Sequence, residues 1–206
     1  MTVEPTDAMR LANAAHERLF ATASKVDDQT ARNPSLLPGW TIGHVLTHVA
    51  RNADGHTRRL EAALRGQEVP RYPGGSEQRN REIEEGARRP AKELIRDVEL
   101  SASRLEDIWA RSMQAGWPNS QLLAGDRFPT LESPIRRLRE VEVHHVDLGL
   151  DYKPTDWPDE YIQWELPLAL AGLPDRIADR DRRCQLLAWL IGRAPVPRDV
   201  ELKPWL

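Results

Sequence analysis

Apolar residues recur at helical spacing over four long stretches of the first 150 residues, and this periodicity most constrains the fold. Side chains three or four residues apart lie on one face of an α-helix, and an apolar face must be buried against another element. Loops rich in proline and glycine separate the stretches. The pattern predicts a mainly α four-helix bundle. Its long helices run from about Thr6 to Val26, Thr41 to Leu64, Pro90 through Trp109 and Ser133 to Leu148, with a shorter helix from Ser76 to Glu85.

The sequence changes character after Gly149, where prolines divide the chain into short pieces. An apolar run from Leu186 to Ile191 follows them. We therefore predict two domains. Residues 1–151 form the bundle, and residues 152–206 form a small C-terminal subdomain of α+β structure.

Composition narrows the class of function. The 206 residues carry 29 Lys and Arg and 32 Asp and Glu, a formal net charge of −3, which does not indicate a nucleic-acid partner. The single cysteine, Cys184, excludes an intrachain disulfide and a Cys-rich zinc site, so any thiol chemistry is expected to use an external thiol. The chain shows neither a membrane-spanning apolar run nor a signal-peptide pattern. We expect a cytoplasmic protein with no membrane partner, and the sequence indicates no oligomeric state.

A carboxylate and an imidazole lie four residues apart in the fourth long helix, at Glu140 and His144. That spacing places both on one helical face, one turn apart. His48 in the second long helix is in register with the apolar residues Val45 and Val49, so it should lean inward. Bundles commonly build metal sites from inward-facing side chains of different helices. Two imidazoles and one carboxylate can hold zinc or another divalent metal and leave one coordination position open, as catalytic sites do.

The residues alone leave other interpretations open. Glu140 could pair at the surface with Arg136, Arg137 or Arg139, while His144 is an ordinary buried histidine. His44 is four residues before His48 and could form a separate His-x3-His chelate with it.

The remaining histidines are weaker candidates. His145 is rotated by about 100° from His144 around the helix, so the two cannot both face one metal. His16 and His56 lack partner ligands at metal-binding spacing, and we expect them to be solvated. Asp147 could hydrogen-bond a ligand imidazole and fix its tautomer, or it could equally pair with an arginine or the backbone at the helix end.

Several motifs, in order and with the right spacing, resemble one family: mycothiol-dependent maleylpyruvate isomerase, of the DinB-like metalloenzyme superfamily. The similarity runs through most of residues 10–150. The end of the chain is also similar, with Gly192, Arg193 and a terminal Pro-Trp-Leu. It implies a DinB-like four-helix bundle. The motifs are Gly39 to Thr41, His48 to Ala53, Glu77 to Ile83 and Arg139 to Gly149.

This resemblance implies that His48, Glu140 and His144 are the zinc ligands. It places a functional arginine at Arg193 and implies that Arg79 lies near the active-site cleft. It implies mycothiol as the thiol cosubstrate and cis–trans isomerisation of maleylpyruvate to fumarylpyruvate as the reaction. Two other functions stay open: a mycothiol S-transferase acting on another electrophile, and a metal-binding interaction module without catalysis.

Overall fold

The computed structural model describes residues 3–118 and 129–197. Within these ranges the chain is helical and contains no strand. None of the described helices is both long enough and apolar enough to cross a membrane. In chain order the α-helices are α1 (Pro5–Ala23), α2 (Asp28–Ala31), α3 (Ile42–Leu64), α4 (Gly75–Gly86), α5 (Ala91–Gln114), α6 (Ser133–Asp147), α7 (Asp159–Arg176) and α8 (Arg180–Leu190).

Helices α1, α3, α5 and α6 form the predicted four-helix bundle. The main packing pairs are α3 with α5 and α1 with α6, and contacts of α1 with α5 and of α3 with α6 close the ring. The mainly α prediction is confirmed, because each amphipathic stretch found a neighbouring helix for its apolar face. Every helix of the ring contributes fully buried leucines, among them Leu19, Leu46, Leu105 and Leu138.

The start of α3 is fixed by a reciprocal cap between Thr41 and His44. The backbone N–H of His44 donates to Thr41 Oγ1 at 3.4 Å, and the backbone N–H of Thr41 donates to His44 Nδ1 at 3.1 Å. This arrangement satisfies two backbone donors that a helix start otherwise leaves unpaired. It fixes the register of α3 and so the direction in which His48, one turn further along, projects.

Two glycines allow α4 to approach α3 closely. A Cβ on Gly43 would lie 2.5 Å from the carbonyl oxygen of Ala87, and a Cβ on Gly86 would lie 2.4 Å from Thr47 Cγ2. A residue with a side chain therefore cannot occupy either position unless the helices move apart. The contact holds α4 against the helix that carries His48.

A buried arginine connects the helices of the bundle. Arg137 of α6 donates from Nε to His16 Nε2 of α1 at 3.1 Å. Its Nη1 donates to the Val49 carbonyl at 2.8 Å and to Asn52 Oδ1 at 2.9 Å, both on α3. His16 Nδ1 donates in turn to Glu106 Oε1 of α5 at 2.7 Å. Burial lowers the pKa of Arg137 to about 10, so the group remains charged at neutral pH.

The prediction that His16 and His56 are solvated is wrong, because both are buried. His56 Nδ1 lies 2.8 Å from Ser133 Oγ, and the Trp109 indole donates to the same oxygen at 3.0 Å. The hydrogen-bond partners of the two histidines lie between 77 and 121 residues away in the chain. No local pattern could have revealed them.

A buried carboxylate, that of Glu142, holds the segment that follows α6. Glu142 accepts hydrogen bonds from Arg18 of α1 and from the Tyr152 hydroxyl, each at 2.5 Å. The Trp157 indole donates to the Glu142 carbonyl oxygen at 3.2 Å. The Tyr152 ring stacks on His145, with 3.7 Å between ring centroids. His145 therefore belongs to this cluster and not to the face of α6 that carries Glu140 and His144.

The chain divides into two compact units, Met1–Trp157 and Pro158–Leu206. The expected α+β structure is not found in residues 158–197, which contain α7 and α8 and no strand. Pro167 and Pro174 lie inside α7, although the sequence suggested that they break the chain. Both prolines are exposed, as are the residues whose carbonyls lose a helical partner, so water can bind those carbonyls.

Replacing Gly86 by alanine should destabilise the bundle. The added methyl would clash with Thr47 inside a packed interface, and we expect a loss of about 1–3 kcal/mol in the free energy of unfolding. Gly172→Ala is the matched control, because this helical glycine has no atom within 4 Å of its Cβ position. There alanine should stabilise by about 0.5–1 kcal/mol. Urea unfolding followed by circular dichroism measures both, and a neutral or stabilising effect at Gly86 would contradict the close contact.

Acid should destabilise the bundle through His16. Burial lowers its pKa from 6.5 to about 4, with Glu106 opposing only in part, so the folded protein holds the ring neutral. The unfolded chain takes up the proton first as the pH falls. The stabilisation is therefore complete above the unfolded pKa and is lost between about pH 6.5 and pH 4, at about 1.4 kcal/mol per pH unit.

The measurement is the free energy of unfolding as a function of pH, for the wild type and His16→Gln. The variant should take up about one proton fewer on unfolding in this window. An unchanged slope would show that His16 is not the group responsible.

Candidate metal centre

The ligand atoms of His48, Glu140 and His144 converge between α3 and α6. His48 Nε2 lies 3.0 Å from His144 Nε2, and Glu140 Oε2 lies 3.3 Å from the former and 3.5 Å from the latter. The two imidazoles are 6% exposed and the Glu140 side chain is 18% exposed. Among the residues that the structure describes, no second group of three such side chains has this proximity. The structure thus brings together the three residues that the sequence selected.

The cluster has the dimensions and chemistry of a divalent-metal site. Zinc bonds of about 2.0–2.2 Å hold tetrahedral ligand atoms roughly 3.3–3.6 Å apart, close to the spacing observed. Glu140 Oε2 is buried and makes no hydrogen bond, although two ring nitrogens lie beside it. A buried carboxylate oxygen without a partner is unfavourable, and a cation would satisfy it. The residues present therefore fit a metal ion.

The charge states of Glu140 and His48 suit a cation, whereas His144 has to give up a proton first. Burial by itself would raise the pKa of Glu140, but the imidazoles of His144 and His48 hold it well below its ordinary value. Burial lowers the pKa of His48 to about 4, with Glu140 opposing in part, so this ring is neutral. Burial opposes protonation of His144, yet Asp147 and Glu140 raise its pKa to about 9. His144 must lose the proton on Nε2 before that nitrogen can coordinate a metal.

Asp147 orients the His144 ring. His144 Nδ1 donates to Asp147 Oδ2 at 2.8 Å, which directs Nε2 toward Glu140. Carboxylates commonly support metal-binding histidines in this way, because they fix the tautomer and the ring angle. Of the two roles that the sequence allowed for Asp147, the structure shows this one.

Arg79 reaches the cluster from α4. Its Nη2 donates to His48 Nδ1 at 3.0 Å, on the side of the ring opposite the cluster. Its Nη1 donates to Asn80 Oδ1 at 3.2 Å. The guanidinium carbon lies 6.0 Å from the centre of the Tyr72 ring. The structure thus places a cation and a phenol beside the ligand set.

Two aromatic neighbours of the cluster were not singled out from the sequence. The Trp40 ring is tilted against His48, with 5.6 Å between ring centroids. Trp40 belongs to the Gly-Trp-Thr motif before α3, which could have identified it. Tyr72 lies in the turn-rich loop before α4, where burial raises its pKa against the opposing charge of Arg79. Its only signal in the sequence is that it is an aromatic residue in an otherwise polar loop.

The competing interpretation of His44 does not fit the structure. Its Nδ1 is engaged by Thr41 in the helix cap, and its Nε2 lies 3.4 Å from Glu84 Oε2. Neither nitrogen is directed at the ligand cluster, so His44 and His48 do not form a chelate.

The sequence also allowed Glu140 to pair at the surface with one of three neighbouring arginines, and two of these have other partners. Arg136 pairs with Glu132 one turn earlier at 2.7 Å. Arg137 is buried in the core, where its contacts are with α1 and α3. The Glu140 carboxylate instead faces His48 across the bundle.

Arg193 lies in the second unit, exposed just beyond the end of α8. Its backbone N–H donates to the Ala188 carbonyl at 2.6 Å. Its functional role stays a prediction from the family resemblance. The terminal Pro-Trp-Leu that also carries the resemblance lies outside the described residues.

Comparison with known proteins identifies the family. The model of the mycothiol maleylpyruvate isomerase N-terminal domain matches residues 12–149. The chain belongs to this family. The crystal structure of the mycothiol-dependent maleylpyruvate isomerase is similar, with a TM-score of 0.73 and 32% identity over 79% of this chain and 70% of that one. A histidine-to-alanine mutant of that enzyme matches at 31% identity, with the same coverage and TM-score.

No match is found among curated proteins. The likeness to the solved isomerase and the helical content together confirm the predicted DinB-like bundle. The family match ends at residue 149, two residues after the end of α6, so it spans the whole ligand cluster.

Substitutions in and around the cluster should lower zinc affinity in a graded order. His144→Ala removes a ligand and should weaken binding by more than about 100-fold, whereas Asp147→Ala removes a supporting hydrogen bond and should cost about 10–100-fold. His44→Gln should leave the affinity unchanged, because glutamine at this position can keep the capping box of α3. Competition with a chelating dye gives the three dissociation constants. A loss in His44→Gln as large as that in His144→Ala would contradict the assignment of ligands.

Proposed function

We propose that this protein is a zinc-dependent, mycothiol-assisted isomerase that converts maleylpyruvate to fumarylpyruvate. One observation supports this function most strongly. The His48–Glu140–His144 cluster lies inside the segment that matches the mycothiol maleylpyruvate isomerase N-terminal domain, and Glu140 Oε2 in it is buried without a hydrogen bond. Another divalent ion could take the place of zinc, since this donor set serves several metals.

The three ligand residues would hold the ion, and each has a defined part. Glu140 supplies negative charge, His48 a neutral ring, and His144 a ring oriented by Asp147. When bound, a divalent ion favours the thiolate form of a thiol, which is the nucleophilic form. Three protein ligands leave a coordination position open.

Isomerisation needs a nucleophile that adds and leaves again. Addition of the mycothiol sulfur to the activated carbon–carbon double bond of maleylpyruvate makes that bond single, so the molecule can rotate about it. Expulsion of the thiolate restores the double bond in the trans form and returns mycothiol unchanged. The only cysteine of the chain, Cys184, is exposed in the second unit, which agrees with the use of an external thiol.

Arginines are suited to the substrate, which carries two carboxylates and gains enolate charge on addition. The guanidinium fork binds carboxylates in a bidentate manner and stabilises developing negative charge. Arg79 lies beside the ligand cluster and is one candidate for this role. Arg193 is the other, on the strength of the family resemblance.

Zinc-loaded protein should convert maleylpyruvate to fumarylpyruvate in the presence of mycothiol, and the mycothiol concentration should not fall. Loss of activity in Glu140→Gln, with retained folding, would tie the reaction to the cluster. Product analysis by chromatography and a thiol titration make the measurement.

Other outcomes would identify the rival functions. A product that keeps the sulfur attached would identify an S-transferase. A protein that binds zinc, catalyses no thiol reaction and shows no effect of Arg193→Ala in any assay would be a binding module. Full isomerase activity in protein verified to be free of metal would overturn the proposal.

A further inference from the structure

Both ring nitrogens of His48 have polar neighbours. The hydrogen bond from Arg79 and the binding of a metal ion require the ring proton on different nitrogens. Nε2 faces His144 and Glu140 in the ligand cluster, while Nδ1 receives a hydrogen bond from Arg79 Nη2 at 3.0 Å. A neutral imidazole carries one N–H and one acceptor nitrogen, whereas a guanidinium has donors only. In the arrangement observed, Nδ1 is therefore the acceptor and Nε2 carries the proton, on the side of the ring that faces the Glu140 carboxylate 3.3 Å away.

A metal ion at Nε2 requires the opposite tautomer. The coordinating nitrogen must present its lone pair, so the proton of the neutral ring lies on Nδ1. That N–H would then point at a guanidinium N–H only 3.0 Å away, and neither group can accept.

His144 shows what the metal-bound arrangement needs. Its Nδ1 donates to a carboxylate, Asp147, so its tautomer already leaves Nε2 for a metal once that nitrogen is deprotonated. The two histidines of the cluster thus differ. His144 is supported by an acceptor, and His48 is held by a donor.

We infer that Arg79 and a metal ion compete for His48, so that metal loading releases the Arg79 guanidinium from the ring. This inference rests on the proposed metal site. The released arginine becomes available to bind a carboxylate of the substrate. Arg79 then takes part in substrate binding only in metal-loaded protein, and by linkage a carboxylate bound to Arg79 strengthens metal binding by the same factor.

The packing of α4 allows this release without movement of the helix. The close contacts of Gly86 with Thr47 and of Gly43 with Ala87 hold the end of α4 against α3. Ile83, one turn beyond Arg79, is fully buried and anchors the same helix. The contact between Arg79 and His48 is therefore not what positions α4, and rotation of the arginine side chain suffices.

Zinc affinity tests the competition. Arg79→Met removes the competing hydrogen bond and should tighten zinc binding by about threefold to tenfold, the equivalent of one hydrogen bond. Arg81→Met is the matched control, because Arg81 is an exposed cation two residues along the same helix. It should leave the affinity unchanged. Equal tightening in both variants, or weaker binding in Arg79→Met, would overturn the inference.

The position of Arg79 in zinc-loaded protein gives a second, direct readout. A crystal structure with zinc should show Arg79 Nη2 beyond hydrogen-bond distance of His48 Nδ1, and ¹⁵N NMR of the histidines should show His48 protonated on Nδ1. Zinc bound at the cluster with the Arg79 contact intact would overturn the competition and leave the metal site standing. Wild-type protein that binds no zinc would overturn the metal site, and this inference with it.

Discussion

The buried guanidinium of Arg137 is the constraint on which the site depends. Its hydrogen bonds to Val49 and Asn52 fix α6 against the part of α3 that also carries His48. Glu140 and His144 follow Arg137 at three and seven residues on α6, so they share its inward face. A buried charged group is costly unless it is hydrogen-bonded, and a rotated α6 would break the bonds that Nε and Nη1 of Arg137 make. The bonds that stabilise the core thus also set the direction of the metal ligands.

Two carboxylates of α6 differ in their hydrogen bonds, and this difference distinguishes the one suited to bind a ligand from the one that holds the fold. Glu140 and Glu142 are two residues apart on α6. Both oxygens of Glu142 are occupied, one by Arg18 and one by Tyr152. Glu140 keeps one buried oxygen without a hydrogen-bond partner. Glu142 thus fastens the chain after α6, whereas the free oxygen of Glu140 is suited to bind a cation.

Much of this architecture could be predicted from the sequence, and the exceptions share one physical cause. Helical periodicity predicts the bundle helices because the spacing of apolar residues along a helix is visible in a short stretch of sequence. Helix α3, for example, starts after Thr41 and ends at Leu64 as expected. The pair Glu140 and His144 is visible for the same reason. The choice of His48 over His44 was not decidable from spacing, since the cap that engages His44 replaces the usual glutamate of a capping box with histidine. The burial of His16 depends on distant partners, and the helical state of α7 depends on solvent access to freed carbonyls.

The pairing of α1 with α6 has a consequence for how the protein is made. Arg18 and Glu142, which join the two helices, are 124 residues apart in the chain. At about 5–20 residues per second, synthesis of that stretch takes roughly 6–25 s. Throughout this time the face of α1 that will pack on α6 has no partner there. Helix α1 therefore completes its packing on α6 long after it is synthesised, and the nascent chain must remain soluble with that apolar stripe uncovered.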